Sequence, residues 1–383
     1  MSSLDFSNGF LPNDLIVQIL SRLPVKTLFR CKLVCKFWSR LPSEKYFIDL
    51  YFQTSSKNPA LLLEIIHTLR TRSSYVCVDR SCGVLGVSLD FLNDRVRIRA
   101  SCNGLLCCAS IPNRGVYYVC NPMTREFRLL PRARDRPFTR CQPEYEATLI
   151  GLAFDPKSWK FHVALAGFYR PFSHRPHDQL VCLVFDSDTN VWRRFVTCQY
   201  EEFTHMNRNQ SVFANGFLHW LTYSCSHVLA LDLIDEVWLK IPLPEEIVTG
   251  GFASRVYLLE LEGEVSVIQM LGCWMNTWVL KDHVREKWIL VDRVHLRCIR
   301  GFAANVFPMC QTSDVVFLAA QRKVLTYGRK DKMWKEVYVK QDPPTYPLWF
   351  SAHAYRSALF PCHQVLQVPK LGCITGSVLN FKI

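Results

Sequence analysis

The sequence predicts an α+β chain: a small helical module followed by a large all-β ring of about six blades. Three observations carry this expectation. Residues 11–52 hold apolar side chains at helical intervals, more densely than so short a module can bury by itself. Beyond residue 55, helical periodicity gives way to short β-type runs separated by turn signals. An aromatic anchor then recurs at Phe127, Trp192, Trp238, Trp288 and Trp334, at spacings of 65, 46, 50 and 46 residues, a period that marks a repeat architecture.

Within the helical module, Leu15, Ile19, Leu20 and Leu23 fall on shared helical intervals. Pro12 sits where a helix can begin and Pro24 where one must stop. The spacing predicts a first helix over 13–22, a second from Pro24 or Val25 to Cys35, a third over 36–40, and a further short helix over 43–51. Leu28, Phe29, Leu33, Val34, Phe37 and Trp38 add to the apolar load. Something else must cover part of it.

The β-region opens with strands at 60–66, 75–78 and 96–98, then Ser101-Cys102-Asn103-Gly104-Leu105-Leu106, an Asn-Gly turn leading into a buried strand. From there one pattern repeats: a strand, a turn of Asp, Asn, Pro or Thr, and an aromatic opening the next strand. Asn121-Pro122-Met123-Thr124 is the first such turn. Units of about 47 residues with three or four strands have the size of a propeller blade. Each anchor is then an inter-blade wedge, and Trp349 to Tyr355 is expected to supply the closing strand beside the first blade. The longer first interval holds two expected insertions, at 132–143 and 168–178. The chain thus divides into a frayed N-terminus (1–10), the helical module (11–55), the propeller (56–370) and a C-terminal tail (371–383).

The totals agree with this reading. The chain has 383 residues, 49% hydrophobic and 21% charged, which suits a folded protein. Aromatics at 13%, with ten Trp, suit β-sheets that pack rings between them. The net charge of +13 favours acidic partners without choosing among them. Seventeen cysteines, an odd number in a long chain with no signal peptide, read as free thiols in a reducing compartment. No apolar run reaches the roughly 18 residues that span a bilayer. The expectation is a soluble protein of the cytoplasm or nucleus with no membrane partner.

The helical module resembles an F-box. The residues that carry the resemblance are Leu11-Pro12, Asp14-Leu15, Ile19-Leu20, Arg22-Leu23-Pro24, Val25-Lys26, Leu28, Arg30-Cys31-Lys32, Val34-Cys35-Lys36 and Trp38. The β-rich remainder is similar to the F-box-associated, kelch-like propellers of the large plant F-box families, on Ser101 to Leu106, Asn121 to Thr124 and the repeated Asp-to-Trp turns. It lacks the double-glycine signature of strict kelch repeats. The resemblance implies a non-catalytic substrate receptor of a cullin-based ubiquitin ligase. The F-box would dock on a Skp-type adaptor, and through it a cullin, by Leu11, Pro12, Leu15, Ile19, Leu23, Pro24, Leu28 and Val34. The propeller would hold a target protein, and the chemistry would lie on other subunits. On the residues alone, Leu20, Val34 and Trp38 serve equally well as internal core, and the whole stripe could instead dock onto the propeller.

For the target, Arg134, Arg136, Arg140, Tyr169, Arg170 and Phe172 in the two insertions form a basic-aromatic set suited to an acidic degron; the alternative is a solvated loop. Catalytic, cofactor and metal motifs are missing: there is no phosphate-cradling glycine loop, no Cys-x-x-Cys and no Gly-x-Ser-x-Gly elbow. His174 and His177 lack a companion pair of ligands. Two other function classes remain as alternatives. A small-molecule sensor or channel enzyme would bring His219, His353 and Arg255 together in one pocket. A nucleic-acid-binding protein would use the basic surface, but no base-reading module surrounds it.

Overall fold

The computed structural model describes residues 11–55, 60–66, 74–79, 83–112, 115–133, 137, 149–168, 180–197, 211–222, 224–250, 254–299, 306–320, 323–339 and 349–362. The expected N-terminus (1–10) and tail (371–383) lie outside them.

Six four-stranded antiparallel sheets form the blades. Blade 1 holds β1 (Ala60–Ile66), β2 (Ser74–Asp79) and β3 (Gly83–Val87). Blade 2 holds β4 (Val96–Cys102), β5 (Leu105–Ser110), β6 (Tyr117–Asn121) and β7 (Glu126–Leu129). Blade 3 holds β8 (Leu149–Asp155), β9 (Lys160–Phe168), β10 (Leu180–Asp186) and β11 (Val191–Thr197). Blade 4 holds β12 (Val212–Ala214), β13 (Phe217–Leu221), β14 (His227–Asp232) and β15 (Trp238–Pro242). Blade 5 holds β16 (Ser254–Leu261), β17 (Glu264–Leu271), β18 (Trp274–Asp282) and β19 (Lys287–His295). Blade 6 holds β20 (Phe307–Gln311), β21 (Val315–Ala319), β22 (Lys323–Gly328) and β23 (Trp334–Val339).

The last strand, β24 (Trp349–Tyr355), completes blade 1 by pairing antiparallel with β1, from Ala60 opposite Tyr355 to Ile66 opposite Trp349. The inner strands touch in the order β24, β4, β8, β12, β16, β20 and back to β24. The ring is therefore closed by joining the two ends of the β-region, as the sequence predicts.

The repeated turn has a physical basis. It joins the third and fourth strands of blades 2 to 5. Its opening side-chain oxygen, Oδ1 of Asn121, Asp186, Asp232 or Asp282, accepts the N–H groups two and three residues on, at 2.7–3.5 Å. The fifth residue then turns left-handed: Arg125, Asn190, Glu236 and Glu286 have φ of +53° to +62°. The anchors open the outermost strands. Trp192 packs on Phe185 and Trp334 on Tyr327 at centroid distances of 5.3 and 5.0 Å. The indoles of Trp192 and Trp288 also donate to carbonyls of the preceding blade, at Pro131 (2.6 Å) and Pro242 (2.9 Å), which makes them wedges between blades. Cys107 and Cys108 are both buried and face opposite ways, Cys107 toward blade 3 and Cys108 toward blade 1.

The helical module holds α1 (Asn13–Leu20), α2 (Val25–Cys31), α3 (Lys36–Arg40) and α4 (Lys45–Ser55). The first two helices are shorter than their sequence spacing suggests. After Leu20 the chain tightens: Arg22 and Leu23 N–H bond three residues back, to Ile19 and Leu20. Leu33 and Val34 do the same after Cys31, and Cys35 is fully extended.

The module sits on the propeller through α4 and a strap, residues 356–362, that follows β24. Phe360 is fully buried, with its ring centroid 4.9 Å from Phe52 of α4, 4.7 Å from Phe154 and 5.9 Å from Trp159. Trp159 Nε1 donates to Asp49 Oδ1 at 3.0 Å, and Lys45 lies over the same indole. Blade 2 holds the strap. Asn121 Nδ2 donates to the carbonyls of Ala358 (3.0 Å) and Phe360 (2.9 Å). Gly104 lies at φ +91°, where a Cβ would stand 2.5 Å from Ala358 Cβ and 2.6 Å from the Arg356 carbonyl; no other residue fits. The Asn-Gly and Asn-Pro-Met-Thr signatures of blade 2 thus grip the strap that carries the helices.

Candidate docking surface

α1 begins at Pro12, whose carbonyl accepts the N–H groups of Leu15 and Ile16 at 3.0 and 3.1 Å, and Asp14 in the first turn complements the helix dipole. Its two sides differ. Val17 and Leu20 turn inward, where they join Val25, Leu28, Leu41, Phe47, Ile48 and Tyr51 in a core continuous with the propeller beneath. Leu11, Leu15 and Ile19, spaced by four, turn outward and stay about half exposed, at 53%, 50% and 49%. Further along, Leu33 (89%), Val34 (64%) and Phe37 (37%) are also open. Isolated exposed leucines are ordinary; this many on a module of some forty residues is a surface with a purpose.

Of the residues expected to meet an adaptor, Leu11, Pro12, Leu15, Ile19, Pro24 and Val34 are exposed and Leu23 is half-buried. Leu28 is a correction: it is 1% exposed and belongs to the inner core, because α2 turns Val25 and Leu28 toward the module's interior. Leu20 is likewise internal, Trp38 packs partly against that core, and Val34 is outward. The stripe does not dock onto the propeller; the opposite side of the module does. Sequence reading did not assign Leu33 and Phe37 to the surface. The end of α2 at Cys31 puts Leu33 into a turn, and a sharper helix boundary would have found it.

The six residues proposed for a target, Arg134, Arg136, Arg140, Tyr169, Arg170 and Phe172, lie outside the described residues. The strand ends that flank them are described. Inner strands run toward α4, since Phe52 lies with Asn103, Pro156, Asn215, Gly263 and Arg356 at the mouth of the channel. Leu129, Leu149, Phe168 and Leu180 are the strand ends on the side of the ring away from α4.

The cluster that a channel enzyme or sensor would need is dispersed. His219 is enclosed between blades 4 and 5, with Nδ1 3.3 Å from the Val212 carbonyl and Nε2 3.2 Å from His283 Nε2. Burial, with His283 beside it, pushes its pKa down to about 3, so it stays neutral. Arg255 donates to the Val306 carbonyl, at the boundary of blades 5 and 6. His353 is buried in blade 1, where burial and then Arg99 hold its pKa down to about 3. A cavity of about 280 Å³ lies at the channel mouth, where Arg356 Nη2 donates to both carboxylate oxygens of Glu260 at 3.0 and 2.9 Å. Cys102 and Cys310 line it, but burial raises both thiols to about 12, far from the thiolate a nucleophile requires. Among the described residues no group of three or more His, Cys, Asp or Glu is placed to hold a metal, and no helix is long and apolar enough to cross a membrane.

Comparison with known families agrees with this geometry. Residues 9–47 match an F-box-like family model, and residues 50–341 match the F-box associated beta propeller domain. The chain belongs to the F-box proteins with an associated β-propeller. An F-box protein of Arabidopsis thaliana is 53% identical over 94% of this chain and all of its own length. A second Arabidopsis F-box protein is 30% identical over 80% of this chain and 66% of its own. An F-box/kelch-repeat protein of the same plant is 25% identical over 84% of this chain and 81% of its own. The F-box proper is thus the module whose outward stripe is bare, and the associated propeller is the closed ring beneath it. This supports a substrate-recognition role of the adaptor kind.

Proposed function

We propose that this F-box protein is the substrate-recognition subunit of a Skp-cullin-F-box ubiquitin ligase. Leu11, Pro12, Leu15, Ile19, Pro24 and Val34 dock on a Skp-type adaptor, with Leu23 at the margin and Leu33 and Phe37 extending the surface. The adaptor links the chain to a cullin, and the propeller presents a target protein. The observation that carries this reading is the outward stripe on α1, left uncovered by a propeller that buries the other side of the same helix. Helix packing against such a stripe is a familiar recognition mode. Catalysis lies on other subunits, and this chain contributes proximity between target and activated ubiquitin. The reading places the protein in the cytoplasm or nucleus.

The test is capture by a purified Skp-type adaptor, comparing wild type with Leu15→Asp/Ile19→Asp. Wild type is retained and the double variant is lost. Equal retention of both contradicts the proposal. The two insertions that hold Arg134, Arg136, Arg140, Tyr169, Arg170 and Phe172 remain proposed target contacts. Replacing the four arginines by Glu is expected to release an acidic target while adaptor capture persists.

A further inference from the structure

Every blade of the ring ends in an outer strand with no strand beyond it. Such edges are normally blunted by charge, proline or shortness. Four of the six fit that rule: β3, β7, β15 and β23 each expose a single large apolar side chain, namely Val84, Leu129, Leu239 and Val339, and over Val191 to Arg194 β11 exposes no large apolar side chain but Val191. The exception is β19, which exposes three in a row, Ile289 (39%), Leu290 (42%) and Val291 (44%).

A bulge explains how three consecutive side chains reach the surface. Thr277 of β18 pairs with Asp292, and its neighbour Trp278 pairs with Leu290, so Val291 has no partner and the alternation of sides is broken. The same bulge interrupts the edge, so a visiting chain cannot add a continuous strand there. Contact has to be made through side chains.

Within β19 itself the charges left unneutralised are basic; Glu286 lies exposed in the turn just before the strand. Asp292, the acidic residue within β19, is neutralised by Arg329 at 2.9 Å, with both side chains largely buried. Lys287 and Arg293 flank the aliphatic triplet and form no ion pair among the described residues. Arg293 is held in place, its guanidinium 4.3 Å from the ring of Trp274, which is itself 36% exposed. His295 stands edge-on to the same indole at 4.6 Å.

We infer that the rim of blade 5, formed by Ile289, Leu290, Val291, Trp274 and Arg293, is a docking site for an acidic segment of a protein partner that carries aliphatic side chains. The aliphatic residues cover the triplet and the carboxylates meet Lys287 and Arg293. A second copy of this chain is disfavoured by its net charge of +13. The inference rests on the proposed role in target recognition and adds to it a contact site on the rim of the ring, apart from the two insertions.

The test uses the full chain and a labelled synthetic peptide, Asp-Leu-Glu-Ile-Asp-Val-Glu, followed by fluorescence anisotropy at moderate salt. Saturable binding is expected, weakened by about tenfold or more in Leu290→Lys and in Arg293→Glu. Leu129→Lys, at the exposed apolar position of blade 2, is expected to bind as wild type. A charge-reversed peptide with Lys in place of Asp and Glu is expected to bind about tenfold more weakly or worse. No saturable binding overturns the inference. So does binding that Leu290→Lys and Arg293→Glu leave unchanged, or that Leu129→Lys weakens equally. Thermal unfolding of each variant checks that the ring is intact. Adaptor capture, measured on the same proteins, is independent of the outcome: loss of capture by wild type would remove the ligase reading, whereas loss of peptide binding alone removes only the rim site.

Discussion

In the propeller, Trp220, Phe154, Phe185 and Phe317 are at most 2% exposed, whereas in the helical module Leu11, Leu15 and Ile19 keep about half of their surface in water. The two regions face the same solvent and differ in how they end. The ring joins its first and last strands, so each blade has a neighbour on both sides and its apolar faces are used up. The helices have a neighbour on one side only. Closure makes a region self-sufficient, and an unclosed layer advertises a missing partner.

The largest expected effect comes from opening the ring. Deleting residues 346–383 removes β24 and the strap together, which leaves β1 with a bare edge and strips Phe360 from beneath α4. Cooperative unfolding is expected to be lost, or stability to fall by more than about 5 kcal/mol, on a calorimetric or denaturant scan. A monomeric protein with an unchanged transition would show that β24 does not close the ring.

Phe360→Ala separates the two regions more gently. The ring it removes touches α4 on one side and blade 3 on the other, so a loss of about 3–5 kcal/mol is expected, read from urea midpoints. Asn121→Ala acts on the same seam from below. It strips two donors from buried strap carbonyls and is expected to cost about 2–3 kcal/mol, while Asn121→Asp, which keeps the turn but cannot donate, recovers little of it.

Acid should weaken the ring before it affects the exposed stripe. His219 and His353 have pKa values pushed down to about 3 by burial, against about 6.5 in an unfolded chain. Below pH 6.5 the unfolded state takes up protons that the folded state refuses. The stability they confer is therefore complete above pH 6.5 and is lost as pH falls toward 3. By pH 5 the expected cost is about 2 kcal/mol per histidine, measurable as a fall in denaturant midpoint that a variant lacking both histidines shows less steeply.

Much of this division could be read in the sequence, because it is written in local patterns. The turns opened by Asn121, Asp186, Asp232 and Asp282 recur, each with an aromatic after it, since blades 2 to 5 solve the same turning problem with the same side-chain oxygen. The F-box motif was legible for the same reason. What escaped depends on contacts distant in sequence. Leu28 has the same spacing whether it faces in or out, and only the seating of α2 decides it. The strap has no motif of its own; its holders, Asn121 and Gly104, lie more than two hundred residues earlier. The bulge that turns Val291 outward follows from the register of β18 against β19, which no single stretch specifies.

The smallest expected effect on stability falls on the residues that matter most for the proposed function. Ile19 and Leu20 are neighbours on α1, one outward and one inward, and they permit a direct comparison. Leu15→Asp/Ile19→Asp and Leu20→Asp would each be measured twice, for unfolding free energy and for affinity toward a Skp-type adaptor. The account predicts that the outward pair changes stability by less than about 1 kcal/mol yet abolishes adaptor binding, whereas Leu20→Asp costs about 3 kcal/mol or more by placing a charge in the core. Adaptor binding that survives Leu15→Asp/Ile19→Asp in a folded protein would contradict it.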